Sequence, residues 1–197
     1  MKTLIIYAHP NTSGHCPVIV EEVKKQLKLR KEEFEVLDLY KMNYDPILHE
    51  NEHYTSGNRE VTKETKEIQD KISNTTTLIF IYPVWWNSMP AMMKGFLDKV
   101  FVPRFAFSYE GHLIPRKLLK GKRAAVFITT GSPPILFHTY FGSRAAKIIK
   151  RDTLGFFGIK AKIFYLGNAR KFDEGKQEKI ENLVRKGLKY LCYSKSH

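Results

Sequence analysis

Apolar residues in this chain fall into short unbroken runs separated by segments with helical spacing, and that alternation predicts its elements. Thr3 to Ala8 (TLIIYA) and Thr77 to Tyr82 (TLIFIY) are continuous runs, the pattern of parallel strands buried on both faces. Phe34 to Leu39 (FEVLDL) alternates only in part, and Arg123 to Thr129 and Lys160 to Leu166 complete five strands. Helical periodicity runs from His15 to Leu29, with Val18, Val23 and Leu27 near one face, then from Val61 to Ile72, Pro90 to Val100, Ser143 to Leu154 and Asp173 to Cys192. Proline suits a first helical position, which predicts Pro90 there. Met42 to Asn58 is polar and irregular and reads as a long loop with a short helical turn.

Strands alternating with helices imply an α/β fold, a parallel sheet covered on both faces and joined by right-handed crossovers. The half-polar second strand belongs at an edge, which favours the flavodoxin-like order 2-1-3-4-5 in a single domain over residues 1–197. In that order the ligand crevice lies beyond the carboxyl ends of strands 1 and 3. The loops there are His9 to Gly14 and Pro83 to Ser88, with Thr130 to Pro134 as a third after strand 4. The chain's only two tryptophans, Trp85 and Trp86, lie in the second loop and suggest a flat aromatic ligand. In the first loop Asn11, Thr12 and Ser13 either cap the following helix or leave its N–H groups to a phosphate, which a His9 ring N–H would also reach.

Composition narrows the function classes. With 43% hydrophobic residues in 197, no long apolar run and no apolar leader after Lys2, the expectation is a soluble cytoplasmic protein. Cys16 and Cys192, at opposite ends, give neither metal spacing nor a disulfide framework. A formal charge of +13 is concentrated between Gly111 and Arg151, which hold nine Lys or Arg and no Asp or Glu. No nucleic-acid-binding motif accompanies that charge, so a solvated basic face or attraction of a phosphate-bearing small molecule accounts for it.

The block YPVWWNSMPAMMKGFLDKVF, followed by Phe105-Ala106-Phe107-Ser108-Tyr109 and Gly111, resembles the signature of the flavodoxin-like NAD(P)H:quinone oxidoreductases. LIIYAHPNTSGH and ITTG at 128–131 fall where that family has its other two flavin loops. The resemblance implies a flavin, FMN or FAD, with NAD(P)H as co-substrate, and two-electron ping-pong reduction of quinones or related flat aromatic acceptors. It implies that His9, Ser13, Gly14 and His15 hold the phosphate and ribityl end, and that Pro83, Val84, Trp85, Trp86 and Asn87 flank the ring. Thr129, Thr130, Gly131 and Ser132 would meet its pyrimidine end, and Phe107, Tyr109, Phe137, His138 and Tyr140 are candidates for the substrate pocket. No residue is required as a catalytic acid or base, since hydride transfer belongs to the flavin. Gly14-His15 stand where the family has Phe-Asn, and Ser132-Pro133-Pro134 replace its usual continuation after Gly131. The family's homodimers imply a dimer here, with Phe101 to Tyr109 at the interface. Two alternatives share these loops: a flavodoxin-type electron carrier, or a regulatory flavoprotein subunit of a membrane transporter.

Overall fold

In the computed structural model, which describes residues 2–53, 55, 61–111, 113–170 and 174–192, the buried strand β1 (Thr3–Tyr7) lies between two parallel neighbours. These are β2 (Phe34–Asp38) and β3 (Thr77–Pro83). A two-residue hairpin, β4 (Phe107–Ser108) with β5 (Arg116–Lys117), stands outside the main sheet. Then β6 (Arg123–Thr129) pairs with β3, and β7 (Lys160–Leu166) pairs with β6. The main sheet has the order β2-β1-β3-β6-β7, which is the anticipated 2-1-3-4-5 arrangement once the hairpin is set aside.

Strand alternation sorts the core into two layers. Leu78, Phe80 and Tyr82 of β3 point to one side, while Ile79 and Ile81 point to the other. The second side is covered by α1 (His15–Leu29), whose Cys16, Ile19, Val20, Val23 and Leu27 recur at helical spacing and are buried. Val18 is only half-buried, at the margin of that face. The first side is covered by α2 (Lys63–Ser73) and α3 (Ala91–Val100). Further along come α4 (Pro134–His138), α5 (Arg144–Lys147) and α6 (Gly155–Phe157), and α7 (Glu174–Cys192) returns beside α1.

Several boundaries differ from the sequence pattern for local reasons. Pro90 caps α3 in an extended conformation, and the helix begins at Ala91. Thr62 caps α2 by accepting the Thr65 N–H at 3.2 Å, so Val61 lies outside that helix. The segment expected as one α-helix from Ser143 to Leu154 is α-helical only over Arg144–Lys147 and π-helical over Ile148–Leu154. The wider turn lets Ile149 and Leu154, five residues apart, both reach the core, and Thr153 Oγ1 donates to the Ile148 carbonyl five residues back at 2.9 Å. The hairpin and α4 carry no periodic signal of their own. In the 42–58 loop a single 3-10 turn forms over Glu50–Glu52; Tyr54 and residues 56–58 of that loop, and the anticipated helix start at Asp173, lie outside the described residues.

This loop is fastened to α3. Tyr44 meets Phe96 edge-on at 5.6 Å, and buried Lys99 donates to the Ile47 carbonyl at 3.0 Å while pairing with Glu52 at 3.0 Å. The Pro46 carbonyl lies directly over Gly95, where an added Cβ would stand 2.0 Å from that oxygen. Gly95→Ala is therefore expected to cost about 2 to 3 kcal/mol by overpacking, measured as a lower urea midpoint. An unchanged midpoint would show that the loop is not held against α3.

Candidate active site

The strand register delivers three loops to one edge of the sheet. The ladder continues just past the strands, with Ala8 N–H donating to Ile81 O at 3.1 Å, Val84 N–H to Thr129 O at 2.7 Å and Thr130 N–H to Leu166 O at 3.0 Å. Cys16 Sγ lies 3.2 Å from Thr129 Oγ1, joining the start of α1 to the end of β6. Burial pushes the Cys16 thiol up to about 12, so it stays protonated and acts as a packing group.

In the first loop the N-cap of α1 is Gly14, at φ 114 and ψ −170, and no side chain caps the helix. Of the two roles left open for Asn11, Thr12 and Ser13, capping is not the one adopted; all three are exposed. The first-turn N–H groups of α1 are left with the positive end of the helix dipole, an arrangement suited to an anion. His9 Nδ1 lies 3.1 Å from the Asn11 N and 3.0 Å from the Asn11 carbonyl oxygen, so the ring is fastened to its own loop through Nδ1. The ring of His15 is buried. A groove of about 530 Å³ leads from Thr12, Ser13 and Gly14 along α1 to Gln177, and another of about 800 Å³ runs from His9 past Tyr7 to Tyr40.

The second loop is a tight turn closed by reciprocal bonds between Trp85 and Ser88, 3.0 and 2.9 Å. Its central residues Trp86 and Asn87 both have positive φ, 50 and 57, the pattern of a type I′ turn. Asparagine tolerates this; a tryptophan there is strained. Trp86 is fully exposed at 101%, whereas Trp85 is at 41%. The third loop has fewer open donors than its sequence suggests. Thr130 N–H is given to Leu166 O and Ser132 N–H to Thr130 Oγ1 at 3.2 Å, leaving that of Gly131 without a partner among the described residues. Asn168 N–H and Ala169 N–H clasp the same loop by donating to Ser132 O and Thr130 O, and Arg170 lies across Gly131.

Between these two loops opens a cleft of about 680 Å³. Val84, Trp86 and Asn87 form one wall and Thr130 and Ser132 another. Phe137, Tyr140, Phe141 and Arg144 close it. Phe137 is stacked on Tyr165 at 4.2 Å, and the Tyr165 hydroxyl, pushed up to about 12 by burial, donates to Ser132 O at 3.0 Å. Among the five substrate-pocket candidates, the cleft thus takes in Phe137 and Tyr140. His138 is exposed and turned to Ser143, with Nδ1 at 2.9 Å from Oγ. Phe107 lines a separate pocket of about 250 Å³ beside α3, with Tyr109 edge-on to it at 5.6 Å. Phe141 and Arg144 were not singled out from the sequence, because their place depends on the irregular turn between α4 and α5. Among the described residues no group of three or more His, Cys, Asp or Glu could hold a metal ion, and no helix is long and apolar enough to cross a membrane.

The family model for the flavodoxin-like fold, Flavodoxin_2, matches residues 1–191. The chain belongs to this flavodoxin-like family. It is 34% identical over 134 residues to an uncharacterized NAD(P)H oxidoreductase of Haemophilus influenzae, a match covering 67% of this chain and 65% of that one. It is 29% identical over 147 residues to the ribosyldihydronicotinamide dehydrogenase (quinone) of Mus musculus, covering 66% of this chain and 63% of that one. Both matches span slightly less than two thirds of the relative's length. The crystal structure of Smu.1420 from Streptococcus mutans UA159 superposes with a TM-score of 0.83 at 31% identity, over 95% of this chain and 98% of that one.

The strained tryptophan of this flavodoxin-like chain buries nothing in the turn that holds it, so replacing it should relax the backbone. Trp86→Gly is expected to raise stability by about 0.5 to 1 kcal/mol, the relief of a left-handed side chain less the added freedom of unfolded glycine. Urea denaturation measures this, and a loss of stability would mean that the indole packs in solution.

Proposed function

We propose that the protein is a flavin-dependent NAD(P)H oxidoreductase of the cytoplasm, passing two electrons as hydride to quinone-like flat aromatic acceptors. The observation that carries this reading is the pairing of an uncapped helix N-terminus with a flat-walled cleft at the same sheet edge. The chain's own groups fit a flavin at both ends. The N–H groups at the start of α1, set by Gly14, with the His9 ring held in the same loop, suit its phosphate. The cleft between Trp86 and Thr130 suits its ring. A bound flavin supplies the hydride chemistry that no side chain of this cleft offers. Trp86 and Val84 would shield the ring from water, and the Gly131 N–H would be available as a donor to the negative charge that reduction brings. With a flavin bound, Tyr140 would line the space left for donor and acceptor, which would use it in turn, giving ping-pong kinetics.

The family resemblance and the exposed apolar side chains support a homodimer. Leu113, Ile114 and Tyr109 are exposed at 97%, 78% and 54%, and Tyr109 with Phe107 lies outside the cleft of its own chain. In the dimer these rings serve the partner's site.

Purified protein is expected to show a flavin absorbance spectrum and to oxidise NADH or NADPH steadily when a quinone is supplied, with parallel double-reciprocal lines. A colourless protein that takes up neither FMN nor FAD would overturn the reading, and flavin binding without turnover would favour an electron carrier. Trp86→Gly should bind flavin about tenfold more weakly, the worth of one aromatic contact. Sedimentation should give twice the 23.0 kDa chain mass; a monomer bearing full activity would remove the partner from the site.

A further inference from the structure

We propose that Arg144 makes the cleft selective for acceptors that carry an acidic substituent, a sulfonate or carboxylate on a flat ring system. This rests on the reductase reading for the cleft itself and adds what the cleft prefers. Arg144 is the one charged residue of the lining; the walls facing it are aromatic or neutral, with Trp86, Tyr140 and Thr130 among them. Four of the eight other basic residues of that segment are committed elsewhere. Lys117 donates to Gly155 O at 2.8 Å, Lys122 to Ile72 O at 2.7 Å at the end of α2, and Arg123 to Tyr190 O at 2.8 Å while lying over the Tyr190 ring. Arg151 has Asp152 beside it at 3.6 Å. The Arg144 guanidinium has no acidic or carbonyl partner among the described residues, and no Asp or Glu occurs between Gly111 and Arg151.

Its backbone is held for the task. Ser143, left-handed at φ 53, gives its N–H to Phe137 O at 2.8 Å, and Arg144 N–H goes to Phe141 O at 3.2 Å. The turn therefore presents Arg144 to the cleft from a fixed point. A planar guanidinium grips an oxyanion through two parallel bonds, and one beside aromatic walls is less screened than one in open water. A neutral acceptor gains only stacking there, and a cationic one is repelled.

The test compares anthraquinone-2-sulfonate with neutral 2-(hydroxymethyl)anthraquinone on the protein as purified, by calorimetric binding and by steady-state turnover. Arg144→Gln should raise the dissociation constant of the sulfonate about tenfold and leave the neutral quinone within about twofold, with Arg144→Lys restoring part of the loss. The KM for the sulfonate should rise while kcat holds. Equal effects on both quinones would overturn the assignment, as would a higher KM for NAD(P)H with unchanged quinone preference, which would give the cation to the donor's phosphates. A protein that binds the sulfonate selectively through Arg144 yet reduces neither quinone supports the assignment and refutes the reductase reading. One that reduces both without preference does the reverse.

Discussion

The parallel pairing of β3 with β1 on one side and β6 on the other is the constraint on which the site depends. Thr3, Thr77 and Arg123 stand in one row, and so do Tyr7, Ile81 and Phe127. Beyond that row β1 stops, while β3 and β6 stay paired through Tyr82 with Ile128 and Pro83 with Thr129. The carboxyl edge is therefore stepped by two residues, roughly 7 Å at strand rise. The low step holds the 8–14 loop and the start of α1. The high step carries the Trp86 turn and the Thr130 loop, so an anion shelf and a flat-walled cleft adjoin at different levels. No side chain creates that step; it follows from which strands run two residues longer.

The parts of this arrangement carried by buried apolar runs were legible in the sequence. β6, β7 and α1 begin and end where their patterns do, because their residues are selected by a core of fixed period. The convergence of three loops follows from strand order alone. What periodicity could not show was the state of individual backbone groups. Asn11-Thr12-Ser13 reads as a capping sequence, yet the cap falls on Gly14 because the chain enters α1 at a positive φ that only glycine adopts without strain. The π-helical segment was equally hidden, since its reason lies in the separation of Ile149 and Leu154 across the core. Arg144 owes its position to the irregular turn between α4 and α5 and was legible only as one of nine basic residues.

Backbone strain is concentrated at the high step. Trp86, Asn87 and Ser143 all have positive φ, and all lie at or beside the cleft. Opposite them, the three central strands β1, β3 and β6 are buried almost throughout and evenly paired, which is where the free energy that tolerates such conformations resides. The third loop shows the same division. Two of its N–H groups are spent on fixing the loop, one to Leu166 O and one to Thr130 Oγ1, and the third, on Gly131, has no partner among the described residues.

The chain's positive charge acts at two ranges, and the structure separates them. Lysines and arginines that donate to carbonyls, as Lys122 does at the end of α2, work at contact distance and complete the fold. The excess over acidic residues, +13 formally, works as a field that draws in anions. That field decays over a Debye length of about 8 Å at physiological salt, so it governs arrival and fades as salt rises. A guanidinium gripping an oxyanion against aromatic walls is less exposed to that screening. Salt should therefore slow the capture of anionic ligands while leaving any preference set by Arg144 largely in place, since preference is decided at contact after the field has done its part.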